Sequence, residues 1–152
     1  MTSTAKPARS SDSGLPLGAA VPALPEHIQA GAGYTYIQPD TIHLLLYTSV
    51  HCVHCIDLLP HLNKIAENYP SFSIQLFSTG DEGDHQSMSD YFGWDFPIYS
   101  MDQSDMNAYF EVTFLPFMIL VDQTGTVAAK GVIYNADDFD QIMKSCRTLY
   151  PA

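Results

Sequence analysis

The stretch Ile42-His43-Leu44-Leu45-Leu46-Tyr47-Thr48-Ser49-Val50-His51-Cys52-Val53-His54-Cys55 decides how this chain reads. Its first six residues form an apolar run without polar alternation, the pattern of a strand covered on both faces and so central in its sheet. Downstream, Cys55, Leu58, Leu59, Leu62, Ile65, Ala66 and Tyr69 recur along one helical stripe. A strand therefore delivers two cysteines, Cys52 and Cys55, to the first turn of an amphipathic helix, and the second cysteine heads its buried face. A Cys-X-X-Cys pair in that setting is usually redox-active. Pro60 interrupts the stripe; it removes one backbone donor and crowds the preceding turn, so a kink is expected at about 3 kcal/mol of intrinsic propensity.

Outward from this unit, Phe72 to Thr79 reads as the next strand, Asp81 to Asp84 as an acidic loop, and Gln86 to Phe92 as a short helix turning Met88, Tyr91 and Phe92 inward. Pro97 to Ser100 reads as a brief strand and Met106 to Phe110 as a helical turn. Phe117 to Val121 is an apolar strand, joined through Gln123-Thr124-Gly125 to a partner over Thr126 to Gly131 as a β-hairpin. Asn135 suits a helix N-cap, with Asp137 and Asp138 in the first turn and Phe139, Ile142, Met143, Cys146 and Leu149 on one face. On the upstream side, Tyr34 to Ile37 reads as a short strand. The sum is an α/β chain with a central mixed β-sheet flanked by helices on both sides.

The 152 residues, 46% hydrophobic, suffice for one domain with a core and fall short of two. Residues 31–152 are read as that domain. Residues 1–30, rich in Ser, Ala, Pro and Gly and lacking periodicity, are read as a flexible N-terminal arm outside the core. Seventeen acids against six bases, a net charge of −11, disfavour a nucleic-acid or anionic-membrane partner. Three cysteines are too few for a secreted disulfide framework. No apolar run reaches signal-peptide length near Met1 or bilayer length anywhere, so the literal reading places the chain in the cytoplasm, or outside it if a signal or anchor has been removed.

The chemistry follows from the pair. Helix N–H groups stabilise a thiolate on Cys52, which exchanges with a partner disulfide, and Cys55, at the head of the buried stripe, resolves the mixed disulfide. An imidazole on His51 or His54 favours the Cys52 thiolate; Asp57 and the negative net charge oppose it, so direction of exchange stays open. The rival reading is a metal-binding or metallochaperone module on His51, Cys52, His54 and Cys55, but no second paired motif supplies further ligands. Cys146 reads as a core residue, and His43, His61 and His85 as packing or surface residues.

With Cys52-Val53-His54-Cys55, Pro60, Val112-Thr113-Phe114-Leu115-Pro116, the hairpin Ile119 to Gly125 and Ala129-Lys130-Gly131-Val132 in view, the chain resembles the thioredoxin-like superfamily, and within it the TlpA-like and MauD-like proteins. The resemblance spans about Gly31 to Leu149. It implies a thiol–disulfide oxidoreductase without bound cofactor, acting on protein thiols and disulfides and on a redox partner. Cys52 would be its nucleophile, Cys55 its resolving cysteine and Pro116 its cis-proline, with His51, Val53 and Leu115 meeting substrate and the Leu115 backbone pairing with an extended segment. His54 matches the histidine that disulfide isomerases carry before their second cysteine. Two departures stand out. His51 replaces the usual tryptophan, and Leu46 stands where many thioredoxins bury an acid, which puts fast thioredoxin-like reduction in doubt. MauD-like proteins also usually carry a membrane anchor. A peroxiredoxin is disfavoured, because the two arginines are remote at Arg9 and Arg147 and Leu45 takes the position of its proline.

Overall fold

The computed structural model describes residues 13–25, 27–28 and 37–145. The readings made on Tyr34, Cys146 and Leu149 lie outside these residues. Strands β1 (His43–Thr48), β2 (Ser73–Ser78), β3 (Ile98–Ser100), β4 (Phe117–Val121) and β5 (Val127–Val132) form one sheet in the order β3-β2-β1-β4-β5. β1 runs parallel to β2 and antiparallel to β4; β2 and β3 are parallel, and β4 and β5 form an antiparallel hairpin with an irregularity at Leu120/Val121. The sheet is thus mixed, and β1 lies at its centre with all six residues buried.

Alternate residues of β1 feed two cores, because successive side chains of a strand point to opposite faces. Leu44 and Leu46 pack with Leu58, Leu62, Ile65, Phe139 and Met143, the buried sides of α1 (Val53–Leu58), α2 (Leu62–Asn68) and α5 (Ala136–Ser145). Leu45 and Tyr47 pack on the other face with Met106 and Phe110 of α4 (Gln103–Phe110). Tyr47, Phe77 and Tyr99 occupy one register row across β1, β2 and β3. Their rings stack at centroid distances of 5.2 and 5.0 Å, and Phe110 tilts onto the first two at 5.2 and 5.5 Å.

Three local expectations need correcting. Pro60 does not kink one long helix; the α pattern stops at Leu58, a 3-10 turn spans Leu59–His61 with the proline near its start, and α2 resumes at Leu62. A 3-10 turn tolerates a missing donor at its beginning, so the apolar stripe continues through the break. The Asp81 to Asp84 stretch is not a loop. Asp81 is the N-cap of α3 (Glu82–Phe92): its carboxylate accepts the Asp84 N–H at 2.8 Å while the Asp84 carboxylate accepts the Asp81 N–H at 3.0 Å. This reciprocal box and the acidic first turn favour a helix start over a solvated loop. On α3 His85, Met88 and Phe92, at i, i+3 and i+7, face inward as expected for Met88 and Phe92, whereas Tyr91 stands 84% exposed.

The arm expectation also fails for its described part. Leu15, Leu24 and Ile28 are buried in the core on the α4 side. The backbone of 13–21 is tied down by Gly14 N–H to Glu111 O (2.6 Å), Gly18 N–H to Val127 O (2.8 Å), Val21 N–H to Gly125 O (3.1 Å) and an isolated antiparallel bridge between Ala20 and Thr126. Long-range contacts order this segment, and they leave no period in the sequence. Gly14 adopts φ +81°, and a Cβ there would lie 2.7 Å from Phe117 Cε2. Gly14→Val should therefore lower stability by about 2 kcal/mol or more, from left-handed backbone strain and overpacking. An unchanged urea midpoint would show that the segment is not held against Phe117.

His43 begins β1 fully buried, its Nε2 accepting the Gln38 N–H at 3.1 Å. Burial holds its pKa below the ordinary 6.5, offset in part by a hydrogen bond with the Thr41 backbone. The unfolded chain then takes up a proton near pH 6.5 that the folded chain resists, so stability present above that pH falls as the pH drops below it. Urea titrations between about pH 5 and pH 7 should show this loss, and His43→Gln should flatten it. Among the described residues no helix is long and apolar enough to cross a membrane.

Candidate active site

The site sits where β1 ends beside the start of its antiparallel neighbour β4 and α1 begins. After Thr48 the chain turns through Ser49, Val50 and His51, and Cys52 takes the N-cap of α1 in extended conformation with φ −106° and ψ 116°. The Cys52 sulfur acts as the cap, accepting the Cys55 N–H at 3.2 Å, while the Ile56 N–H donates to Cys52 O at 3.0 Å. Cys52 is half-buried, and both cysteines are free thiols.

Cys55 is fully buried one turn on. Burial pushes its thiol pKa far up and the adjoining Cys52 adds to the rise, while a hydrogen bond from the Ser49 backbone opposes it. The two cysteines are therefore unequal: Cys52 is reachable and capped, and Cys55 is a protonated thiol beneath it.

The third component comes from the opposite side of the sheet end. The Leu115–Pro116 peptide bond is cis, Pro116 is buried, and Leu115 O lies 4.0 Å from Cys52 Sγ, within reach of a thiol hydrogen. The structure thus brings together Cys52, Cys55, Leu115 and Pro116, which are separated in sequence by about sixty residues. Ser13 reaches the same loop, its hydroxyl accepting the Thr113 N–H at 2.7 Å.

The remaining sequence candidates form the rim. Val53 is 72% exposed, and His51 and His54 are exposed as well. Neither imidazole hydrogen-bonds a cysteine sulfur; the His54 ring meets Tyr134 edge-on at a centroid distance of 5.3 Å. Tyr134, 48% exposed, was not singled out by the sequence, and neither was Phe114, 36% exposed beside Leu115. The metal module needs at least three converging ligands, and among the described residues no group of three or more His, Cys, Asp and Glu side chains is placed to hold an ion.

Sequence reasoning also passed over Ser49 and Thr79. Thr79 follows β2, accepts the Val50 N–H at 3.0 Å through its hydroxyl and donates that hydroxyl to Ser49 Oγ at 2.9 Å. Ser49 Oγ also accepts the His51 N–H at 3.1 Å, and Ser49 O accepts the Cys52 N–H at 3.1 Å. The only local signal was a pair of small polar residues flanking apolar strands, which is too common to select.

The geometry has counterparts among solved structures. The thioredoxin domain of a thiol-disulfide oxidoreductase from Bacteroides vulgatus superposes with a TM-score of 0.66 at 21% identity, covering 87% of this chain and 99% of that one. A thiol:disulfide interchange protein from Bacteroides sp. gives 0.65 at 21% identity, covering 86% and 90%. The chain has the thioredoxin-like fold. In sequence, this thioredoxin-like chain is similar to the methylamine utilization protein MauD of Methylophilus methylotrophus, 24% identical over 111 residues, which are 73% of this chain and 52% of that protein. The chain spans about half the length of the curated relatives it matches first. No family model matches it.

Proposed function

We propose that this thioredoxin-like domain is a thiol–disulfide oxidoreductase acting on protein disulfides through the Cys52/Cys55 couple. The observation that carries the reading is the placing of a capped, accessible Cys52 sulfur against the Leu115 carbonyl beside cis-Pro116, with the buried Cys55 thiol one turn behind it. In the reducing direction Cys52 thiolate attacks a substrate disulfide, forms a Cys52–substrate disulfide and expels the second substrate sulfur as a thiolate. Cys55 then gives up its proton and attacks Cys52, forming the Cys52–Cys55 disulfide; the substrate leaves as a thiol, two electrons richer per disulfide. The oxidising direction is the reverse.

Substrate backbone would pair with the edge at Leu115, where His51, Val53 and the neighbouring Phe114 supply a half-apolar rim. The MauD similarity and the interchange proteins of like fold support a protein partner over a small molecule. The test is the reduction potential of the pair in glutathione buffers, read by mass spectrometry of alkylated thiols. A value of about −120 to −200 mV assigns an oxidant or isomerase suited to an oxidising compartment, and one near about −270 mV assigns a reductant. Failure to form an intramolecular disulfide at any poise refutes the reading.

A further inference from the structure

Thr113, Phe114 and Leu115 lead up to the carbonyl that faces Cys52, yet they precede β4 and lie outside its ladders with β1 and β5, which begin at Phe117. A segment outside the ladder does not take its shape from the sheet, so an edge held ready for an incoming strand must be fixed by other contacts. The chain enters this segment from α4 by a reversal at Glu111, a non-glycine residue at φ +58°. Such a conformation costs energy and persists where its neighbours enforce it.

The enforcing contacts come from the far end of the chain. Ser13 is 2% exposed, and its Oγ accepts the Thr113 N–H at 2.7 Å and the Thr113 hydroxyl at 3.1 Å while donating to Glu111 O at 3.5 Å. A serine hydroxyl offers one donor and two acceptor sites, so this one is used to capacity on a single loop. Beside it, Gly14 donates its N–H to Glu111 O at 2.6 Å, accepts Lys130 Nζ at 3.3 Å and has no room for a Cβ next to the ring of Phe117, the residue after cis-Pro116. Ser13 and Gly14 thus hold both flanks of Leu115–Pro116, upstream at Glu111 and Thr113 and downstream at Phe117. We propose that Ser13 is a positioning residue for substrate capture: its hydroxyl fixes Thr113, two residues before Leu115, and keeps the Leu115 backbone preorganised to pair with an extended peptide beside the Cys52 sulfur. The inference deepens the exchange reading and rests on it. It adds that disulfides flanked by extended peptide depend on Ser13 and that small disulfides do not, because its bonds reach the loop and neither sulfur.

The test uses the full chain carrying Cys55→Ser and Cys146→Ala, which leaves Cys52 alone of the three cysteines. Two probes share a leaving group: Ellman's reagent, and a short unstructured peptide whose one cysteine is disulfide-bonded to thionitrobenzoate. With either, the Cys52 thiolate exchanges one disulfide for another and releases one coloured thionitrobenzoate thiolate. Ser13→Ala should slow the peptide reaction about fivefold, in line with one lost hydrogen bond, and change the Ellman's reaction by less than about twofold. The same peptide N-methylated on the residues flanking its cysteine, which lacks the N–H donors for pairing, should show no loss on Ser13→Ala. Thr113→Val removes the hydroxyl–hydroxyl bond and keeps the Thr113 N–H bond; it should slow the peptide about threefold, which keeps the test intact if Ser13→Ala does not fold. Equal slowing of peptide and Ellman's reagent, no slowing of either, or equal slowing of the N-methylated peptide overturns the role of Ser13. A Cys52 that reacts with neither probe before Ser13 is changed overturns the exchange reading instead.

Discussion

Cys52→Ser should abolish disulfide exchange, leaving no rate above the uncatalysed background, because serine offers no thiolate to form the mixed disulfide and its hydroxyl is not acidic enough to substitute. Cys55→Ser should behave differently. Cys52 keeps its exposure in that variant and the residue-55 N–H still caps its sulfur, so attack on a disulfide proceeds and stops at the mixed disulfide. Non-reducing mass spectrometry after mixing with a protein disulfide should therefore show a covalent adduct for Cys55→Ser and none for Cys52→Ser. Adducts of equal yield in both variants would contradict the assigned order of attack, and retained exchange in Cys52→Ser would sink the reading altogether.

The second large effect concerns the fold. Phe77→Ala should destabilise the domain by about 3–5 kcal/mol, the cost of a large cavity in a fully buried site, with a fall in melting temperature of roughly 6–20 °C. Phe77 is fully buried, stacks between Tyr47 and Tyr99, and supports Phe110 at 5.5 Å. Removing it takes the middle ring from a row that joins β1, β2, β3 and α4. Phe114→Ala provides the comparison, since that ring is 36% exposed and its loss should cost far less. Urea or thermal unfolding that places Phe77→Ala within about 1 kcal/mol of the unmodified protein would show that this row does not carry the core.

Much of the architecture was readable because it rests on local pattern. The run at Ile42 to Tyr47, the stripe from Cys55 to Tyr69, the strand Phe117 to Val121 with its hairpin and the helix after Asn135 all match the observed elements to within a few residues. Each carries its own periodicity or cap, and the Asn135 cap is formed, with the Asp138 N–H donating to Asn135 Oδ1 at 2.8 Å. The start of α3 was misread because three acidic residues and a glycine look solvated until the reciprocal Asp81/Asp84 bonds are seen. The described N-terminal residues were misread for another reason: Leu15, Leu24 and Ile28 follow no helical or strand period, and only the face they cover makes them core.

By itself, then, the sequence determined a mixed α/β sheet, the placing of a Cys-X-X-Cys pair at a helix start, and which of the two cysteines heads the buried face, because hydrophobic period and motif spacing act over a few neighbouring residues. Only the tertiary structure decided what surrounds that pair. Leu115 O, the Ser49–Thr79 hydrogen bond, the His85 contact to Thr79 O and the Ser13 contact to Thr113 come from four separate segments. Their distances depend on strand register and helix packing, which are set by the whole core and leave no trace in any local stretch of the chain.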